Sequence, residues 1–345
     1  MSGSSPTYDA LLLVSFGGPE GPDDVMPFLE RVTAGRGVPR ERLEEVAEHY
    51  HARGGVSPIN GQNRELLAAL RTELADAGLD LPLYWGNRNW DPLLGDVVAR
   101  MADDGIGHAL AFVTSAYSSF SGCRQYREDI EAARAQVGPR APRIDKLRVF
   151  YNHPEFVAAT ARRLAATLDE VDESLRADVP IAFCAHSVPV SMAAGSDYEA
   201  QLRETARLVL AGLGATNPWE LVWQSRSGPP QVPWLEPDIC DHITDLASEG
   251  ARAVVVAPIG FLSDHMEVVH DLDTEAAEVA ASLGVAMHRM PTVGTEPGFV
   301  RMIRMLAEER MGRTPERLAI GGRGPNHDVC PLDCCPAPKR PARPG

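Results

Sequence analysis

The sequence predicts an α/β protein with two doubly wound domains, each built on a parallel four-stranded sheet. Short aliphatic and β-branched runs, such as residues 253–259, alternate with longer segments in which apolar residues recur every three or four positions. This alternation occurs twice, and 345 residues exceed the usual size of one hydrophobic core. Strands separated by helices at this spacing are typical of parallel sheets.

The first half of the chain is predicted to form one sheet with helices between its strands. Strands are predicted at 8–16, 83–85, 109–114 and 147–151. Helices are predicted at 23–32 and 41–50, from Asn60 or Gly61 onward, around 93–101 and at 124–135.

The second half repeats the pattern without visible sequence repetition. Its strands are predicted at 180–186, 221–225, 252–259 and 285–288. Its helices are predicted from Pro154, across 202–213, at 238–248, from about Asp264 and from Pro297. We therefore expect domains at 8–151 and 152–313, followed by a cysteine-containing tail at 314–345.

The charge balance excludes several classes of partner. A net charge of −15 is opposite to the basic face that binds nucleic acid, and it opposes attraction to an anionic membrane. No apolar run approaches the roughly 20 residues of a spanning helix. The first seven residues lack the basic and apolar regions of a signal peptide, so we expect a cytoplasmic protein.

A stripe of carboxylates follows the strand at 252–259. Glu267, Asp271 and Glu275 recur every four residues on a helix for which Ser263 or Asp264 is the expected N-cap. Like charges at this spacing oppose helix formation by a few tenths of a kcal/mol per pair. The stripe is either a solvated acidic face or a ladder of oxygen ligands and proton acceptors.

A histidine at the same predicted sheet edge favours the second interpretation. His186 ends the strand at 180–186, and ligands of open α/β sheets bind at the carboxyl ends of strands. A lone histidine there is more often a structural hydrogen-bonding group. Two strands that bring His186 and Glu267 to one edge, with His265 and His270 nearby, indicate a reaction centre.

Three of the six cysteines crowd into the last sixteen residues. Cys330, Cys334 and Cys335 form a C-x3-C-C pattern in a proline-rich tail, whereas Cys123, Cys184 and Cys240 are scattered. A disulfide framework is not expected in a large cytosolic protein. The pattern indicates a metal or iron–sulfur site that needs a fourth ligand. A structural zinc site and an unstructured tail with free thiols are the alternatives.

Seven short segments together resemble the ferrochelatase family, whose members insert ferrous iron into a porphyrin. They are Ser15-Phe-Gly-Gly-Pro19, Gly54-Gly-Val-Ser-Pro-Ile59, Gly86-Asn-Arg-Asn-Trp90, Ala185-His-Ser-Val-Pro189, Trp223-Gln-Ser225, Pro233-Trp-Leu-Glu-Pro237 and Ser263-Asp-His-Met-Glu267. They follow the family's order, and the resemblance runs from about residue 8 to residue 310. It implies a porphyrin cleft between the two domains.

The resemblance also implies the catalytic residues. His186 and Glu267 are expected to act on the macrocycle, and Asp271 and Glu275 are expected to continue the acidic ladder as sites for iron or protons. A neutral imidazole suits this chemistry because its ordinary pKa near 6.5 lets it bind a metal or accept a proton. The division of labour between His186 and Glu267 is left open.

Substrate contacts are likewise implied by the resemblance. Ser57 and Tyr126 are expected to contact bound coproporphyrin III. Arg36 and Arg88 are candidate partners for its propionates, and the alternative for each is a solvated surface cation.

Aromatic residues are candidates for the walls of the cleft. Phe16, Trp223 and Trp234 are interpreted either as walls or as ordinary core residues. Some relatives have tyrosine where Phe16 stands. A phenyl ring cannot coordinate metal, so a ligand role is not carried over to Phe16.

Some members of the family hold a [2Fe–2S] cluster through three C-terminal cysteines and one internal cysteine. By this resemblance the tail cysteines are three of the ligands. Cys123 is the choice for the fourth because it is predicted to lie in a loop, whereas Cys184 is expected in a strand and Cys240 on a helix. The expected ligand set is Cys123, Cys330, Cys334 and Cys335.

The reaction implied by the resemblance is insertion of Fe²⁺ into coproporphyrin III during haem synthesis by a monomeric enzyme. The actinobacterial character of the tail and the four propionates of a water-soluble substrate favour coproporphyrin III. Protoporphyrin IX is the nearest alternative substrate. A cobalt chelatase acting on a corrin precursor is the next candidate, followed by a non-catalytic carrier of haem or iron.

Overall fold

Two parallel four-stranded sheets organise the protein, for which a computed structural model describes residues 7–338. The first sheet contains β1 (Ala10–Ser15), β2 (Leu83–Asn87), β3 (His108–Val113) and β4 (Arg143–Lys146), in the order β2-β1-β3-β4. The second contains β5 (Ile181–His186), β6 (Trp219–Gln224), β7 (Ala253–Ala257) and β8 (Ala286–Arg289), in the order β6-β5-β7-β8. Every strand pair is parallel, so the predicted fold class is confirmed.

Helices connect successive strands in both halves. The first half contains α1 (Val25–Val32), α2 (Arg40–His51), α3 (Pro58–Asp76), α4 (Leu94–Asp103) and α5 (Gln125–Val137). The second half contains α6 (Pro154–Asp169), α7 (Glu173–Arg176), α8 (Val190–Ala193), α9 (Tyr198–Leu213), α10 (Ile239–Ser248), α11 (Met266–His270), α12 (Ala277–Ser282) and α13 (Pro297–Arg310). No helix within residues 7–338 is both long and apolar enough to cross a bilayer.

Within residues 7–338, two π-helical turns interrupt this regular pattern. One, Phe120–Arg124, precedes α5, and the other, Asp271–Ala276, joins α11 to α12. The second turn lies within the predicted acidic helix. Such turns are rare and are frequent at functional sites.

The predicted strand at 147–151 is wrong. The fourth strand is β4, which ends at Lys146, and residues 147–151 form a buried connection between the halves. Leu147, Val149, Phe150 and Tyr151 pack in one apolar core with residues from both sheets. The apolar run therefore reflects burial between two layers of structure and not strand pairing.

The halves are joined by direct hydrogen bonds as well as by this core. Tyr117 Oη donates to the carbonyl oxygen of Ile259 over 2.9 Å, and Gln201 Nε2 donates to Ser118 Oγ over 3.0 Å. The predicted domain limits at 151/152 and 313/314 stay predictions. Residues 339–345 of the predicted tail lie outside the described residues.

The carboxyl ends of β5 and β7 meet closely at one edge of the second sheet. The Gly260 amide, just beyond β7, donates to the Cys184 carbonyl of β5 over 3.0 Å. A Cβ at Gly260 would lie 2.5 Å from Ala185 Cβ, so only glycine permits this approach. This contact places the segment that follows β7 beside the end of β5.

Candidate active site

The end of β5 and the start of α11 bring an imidazole and a carboxylate together. His186 is the last residue of β5, and Glu267 is the second residue of α11. His186 Nε2 lies 3.6 Å from Glu267 Oε2, and their side chains are 32% and 52% exposed. Both groups are therefore positioned by secondary structure while remaining accessible to a ligand.

The other ring nitrogen of His186 is held by the backbone. His186 Nδ1 lies 2.5 Å from the Ser187 carbonyl oxygen, which accepts hydrogen bonds only. In the neutral ring Nδ1 therefore carries the proton and Nε2 is the basic nitrogen facing Glu267. Tyr198 Oη donates to the His186 carbonyl over 3.1 Å and fixes the end of the strand.

The N-cap predicted for the acidic helix is wrong. His265, in an extended conformation, occupies the N-cap position of α11, and it makes no side-chain capping bond. Asp264 is held elsewhere, because its Oδ1 accepts from Arg289 Nη1 over 3.1 Å and its amide donates to Gln62 Oε1 over 2.8 Å.

A second histidine flanks the same carboxylate. His265 Nδ1 lies 3.8 Å from Glu267 Oε2, and its ring packs edge-on against Phe261. Burial lowers the pKa of His265, and the Glu267 carboxylate partly offsets this effect. Glu267 therefore lies between two imidazoles.

Asp271 is the least exposed member of the acidic ladder. Its Oδ2 accepts hydrogen bonds from Ser225 Oγ and from Gln224 Nε2, the latter over 3.3 Å. Burial raises the pKa of Asp271 to about 7, and the nearby Glu267 and Glu275 carboxylates add to the rise. Asp271 can therefore hold or release a proton near neutral pH.

Ser225 reaches Asp271 through an unusual backbone conformation. Its φ of 60° lies in the left-handed region, which residues other than glycine rarely adopt. Such strain is typical of functional sites where the surroundings fix one side chain.

The far end of the ladder also carries imidazoles. Glu275 Oε1 lies 3.3 Å from His270 Nε2, and the His270 ring stacks on His49 with 3.7 Å between ring centroids. Burial, and then the neighbouring His270, lower the pKa of His49. The line from Glu267 to Glu275 thus offers oxygen and nitrogen donors along its length.

An apolar wall stands beside Glu267. Met266 of α11 packs with residues of α1 and α2 from the other half, including Phe28 and Tyr50. Burial raises the pKa of Tyr50, and the Glu267 carboxylate adds to the rise, which places its phenol near this carboxylate. Phe16 and Trp90 are partly exposed at the edge of the wall.

The cysteine-containing tail forms a second site away from the His186–Glu267 pair. Cys123, Cys330 and Cys334 line a cavity of about 550 Å³ together with Arg124, Arg127, Lys146 and His327. A hydrogen bond between two thiols lowers the pKa of Cys123 and raises that of Cys330. Cys334 Sγ lies 3.6 Å from Cys335 Sγ.

The sequence model of the ferrochelatase family matches residues 8–311, which is most of the chain. The chain belongs to the ferrochelatase family. Among similar relatives, the coproporphyrin III ferrochelatase of Streptomyces griseus is 54% identical over 96% of this chain and 94% of its own length. A ferrochelatase of Rhodopirellula baltica is 54% identical over 97% of this chain and 96% of that protein. The coproporphyrin III ferrochelatase of Nocardia farcinica is 53% identical over 98% of this chain and 99% of its own length.

A solved structure supports the fold independently of sequence. SirB from Bacillus subtilis with Fe3+ superposes with a TM-score of 0.55 at 13% identity, covering 89% of this chain and 98% of that protein. At this identity the likeness shows the fold alone. The two-sheet architecture is therefore shared between this ferrochelatase-family chain and SirB.

The structure places the predicted substrate residues of this ferrochelatase-family chain in different environments. Ser57 is 3% exposed at the N-cap of α3, where it packs against Gly18, and Tyr126 is 6% exposed at the start of α5. Arg36 is exposed in the turn between α1 and α2.

Arg88 is paired within the protein. Its Nε lies 2.5 Å from Asp129 Oδ2, and its guanidinium carbon lies 4.8 Å from the centre of the Tyr126 ring and 5.7 Å from that of Phe16. Its side chain is 14% exposed. The part of the guanidinium still open to a propionate is therefore small.

The two predicted tryptophans differ. Trp223 is 2% exposed and packs against Tyr198 in the core. Trp234 is partly exposed, and its backbone pairs with Pro189, close to the His186 segment. Its Nε1 has no hydrogen-bond partner among residues 7–338. Trp234 and Phe16 thus belong to opposite halves of the molecule.

Several site residues were not assigned by sequence reasoning. Ser225 and Gln224 hold Asp271, although the Trp-Gln-Ser segment that contains them was recognised as a motif. Lys146 and His327 line the cysteine cavity. The signal for His327 was its position three residues before Cys330, which extends the cysteine pattern to H-x2-C-x3-C-C.

Proposed function

We propose that this chain inserts Fe²⁺ into coproporphyrin III. The observation that carries the proposal is the 3.6 Å approach of His186 Nε2 and Glu267 Oε2 beside an apolar wall. Flat macrocycles require apolar walls with a few converging polar groups, and this arrangement supplies both. The named function of the relatives in Streptomyces griseus and Nocardia farcinica supports coproporphyrin III as the substrate.

Proton removal is the proposed role of the histidine–glutamate pair. With Nδ1 bonded to Ser187, both His186 Nε2 and the Glu267 carboxylate are proton acceptors. Two acceptors facing one another favour a group that carries protons or positive charge between them. The pyrrole N–H groups of the substrate and Fe²⁺ both meet this requirement. The pyrrole protons leave during metallation, and Fe²⁺ arrives.

The acidic ladder is the proposed path for iron or protons. The Glu267 and Glu275 carboxylates both act electrostatically on Asp271, whose pKa is raised to about 7. An incoming divalent cation would lower this pKa and displace the proton. The ladder can therefore exchange a proton for a cation at neutral pH.

Side chains of both halves are proposed to bind the macrocycle. Phe16 and Trp234, which are partly exposed on opposite halves, are proposed to bound the ring. Arg36 is exposed and is proposed as a propionate partner, since a guanidinium pairs with a carboxylate through two hydrogen bonds. Ser57 and Tyr126 are proposed to form the floor beneath the substrate.

We further propose that the tail holds a [2Fe–2S] cluster through Cys123, Cys330, Cys334 and Cys335. The donor chemistry fits, because Cys123, Cys330 and Cys334 line one cavity with the cations Lys146, Arg124 and Arg127, and Cys335 Sγ lies 3.6 Å from Cys334 Sγ. When bound, such a cluster supplies one-electron chemistry and a covalent link between the π-helical turn before α5 and the tail.

An anaerobic assay with purified protein tests the proposed reaction. Fe²⁺ and coproporphyrin III are supplied in excess over protein, and the Soret band is followed with time. We expect many turnovers with coproporphyrin III and at least tenfold lower kcat/KM with protoporphyrin IX. A preference for protoporphyrin IX would contradict the substrate assignment, and binding limited to one porphyrin per chain would indicate a carrier.

A further inference from the structure

His327 joins two tail cysteines in a group of three metal-ligand side chains. One ligand atom from each of His327, Cys330 and Cys334 lies within 4.8 Å of the others. His327 Nε2 lies 3.8 Å from Cys334 Sγ. This group does not include Cys123, so it differs from the ligand set proposed for the cluster.

The spacing of these atoms suits a single soft divalent ion. Bonds of about 2.3 Å from Zn²⁺ to sulfur and about 2.0 Å to nitrogen place tetrahedral ligand atoms about 3.5–3.8 Å apart. The separation of Cys334 Sγ from His327 Nε2, 3.8 Å, is close to this spacing, and the ligand atoms of all three side chains lie within 4.8 Å of one another.

The backbone around His327 is anchored on both sides. Asn326 Oδ1 accepts the His327 amide over 2.8 Å, and Asn326 Nδ2 donates to Ser118 Oγ over 3.3 Å. On the other side Asp328 pairs with Arg317 over 3.1 Å. An exposed histidine in a tail without regular structure is thereby held toward Cys334. These contacts fix the backbone from which the His327 ring extends.

We propose that His327, Cys330 and Cys334 form a binding site for one soft divalent ion of the Zn²⁺ class. The ion binds as the two thiols lose their protons, with the neutral imidazole as the nitrogen ligand. Because Cys330 and Cys334 also belong to the proposed cluster, the single ion and the cluster exclude one another. Only this last consequence rests on the cluster proposal.

Cobalt titration of the full-length chain tests the site. Protein freed of iron by chelation under reducing anaerobic conditions is titrated with Co²⁺, which reports thiolate ligation and tetrahedral geometry through its absorption bands. We expect one equivalent to bind with both signals, and Zn²⁺ to displace it. Absence of these bands in the wild-type chain would overturn the proposal.

Substitutions at His327 and at Cys123 separate this site from the cluster. His327→Ala, and His327→Gln as a second variant, are expected to weaken Co²⁺ binding at least tenfold, whereas Cys123→Ser leaves it unchanged and prevents cluster assembly. His51→Ala, exposed at the end of α2, is the matched control. Unchanged Co²⁺ affinity in both His327 variants, or its loss in Cys123→Ser, would overturn the ligand set.

Competition tests the shared thiols. Protein preloaded with one equivalent of Zn²⁺ is expected to form at least tenfold less cluster on reconstitution with Fe²⁺ and sulfide than zinc-free protein. Full cluster yield with Zn²⁺ still bound would contradict the sharing of Cys330 and Cys334. Failure of zinc-free protein to form any cluster would count against the cluster alone, since the Co²⁺ titration stands without it.

Discussion

His186 Nε2 and Glu267 Oε2 lie 3.6 Å apart, although 81 positions separate the two residues (267 − 186). The first ends a β-strand and the second begins a helix, and Gly260 allows the two segments to approach closely. Their separation is too long for a direct hydrogen bond, so neither group is engaged by the other and both face the space between them.

Substitution of Glu267 tests the carboxylate. Glu267→Gln removes the charge and keeps the size, so we expect kcat for metallation to fall about 10²-fold or more, in the range of lost general-base catalysis. Because the side chain is 52% exposed, the free energy of unfolding should change by less than about 0.5 kcal/mol. Steady-state kinetics measure kcat, and urea unfolding measures the stability. A wild-type kcat in Glu267→Gln would exclude a catalytic role for the Glu267 charge.

The raised pKa of Asp271 predicts that the stability difference between wild type and Asp271→Asn depends on pH. Its folded pKa of about 7 exceeds the ordinary value of 3.8, so the stability gained by protonation is lost as pH rises through 7. Asp271→Asn is neutral throughout and should be about 2 kcal/mol more stable than wild type at pH 8, a difference that shrinks toward pH 4. Urea unfolding at both pH values measures it, with Asp245→Asn, exposed on α10, as the control. Equal stabilities at pH 8 would show that Asp271 is not destabilised by burial.

The partly buried ion pair of Arg88 predicts that Arg88→Ala lowers the free energy of unfolding more than it weakens binding of coproporphyrin. Arg88→Ala leaves the Asp129 carboxylate half-buried without its partner and uncovers the Tyr126 ring, which should cost about 2–3 kcal/mol of unfolding free energy. Arg36→Ala, at an exposed turn, should cost less than about 0.5 kcal/mol but raise KM for coproporphyrin. Urea unfolding and KM measurements on both variants distinguish the structural role of Arg88 from the binding role of Arg36. A raised KM with unchanged stability in Arg88→Ala would instead identify Arg88 as a propionate partner.

Substitution of single cysteines tests which thiols hold the cluster. Cys330→Ser should abolish the visible absorption and the EPR signal of the dithionite-reduced protein, because each iron of a [2Fe–2S] cluster needs two protein ligands. Cys240→Ser, on α10 and outside the cavity residues, should keep both signals and serves as the control. A full cluster signal in Cys330→Ser would remove that residue from the ligand set.

Much of the site follows from local sequence patterns. A buried apolar run that ends in a polar residue predicts both the strand and the edge at which its last side chain lies, as for His186. The four-residue spacing predicts the nearness of Glu267, Asp271 and Glu275, and the electrostatic effect of both glutamates on Asp271 agrees with it.

The remaining features depend on contacts between distant segments. Residues 147–151 are apolar because they pack between both sheets, which periodicity cannot distinguish from a strand. Asp264 does not cap α11 because Gln62 and Arg289, from other elements, bind it. The placement of His327 depends on Asn326 and Arg317, whose partners lie far along the chain or across the tail.

The metallation rate of His186→Ala tests the central claim most directly. The purified variant and wild type are mixed anaerobically with Fe²⁺ and coproporphyrin III, and the initial rate is read from the Soret band. His242→Ala, partly buried on α10, is the control, and circular dichroism verifies folding. We predict at least a 10²-fold lower rate for His186→Ala in a folded protein. A near-normal rate in that variant would contradict a catalytic role for the imidazole.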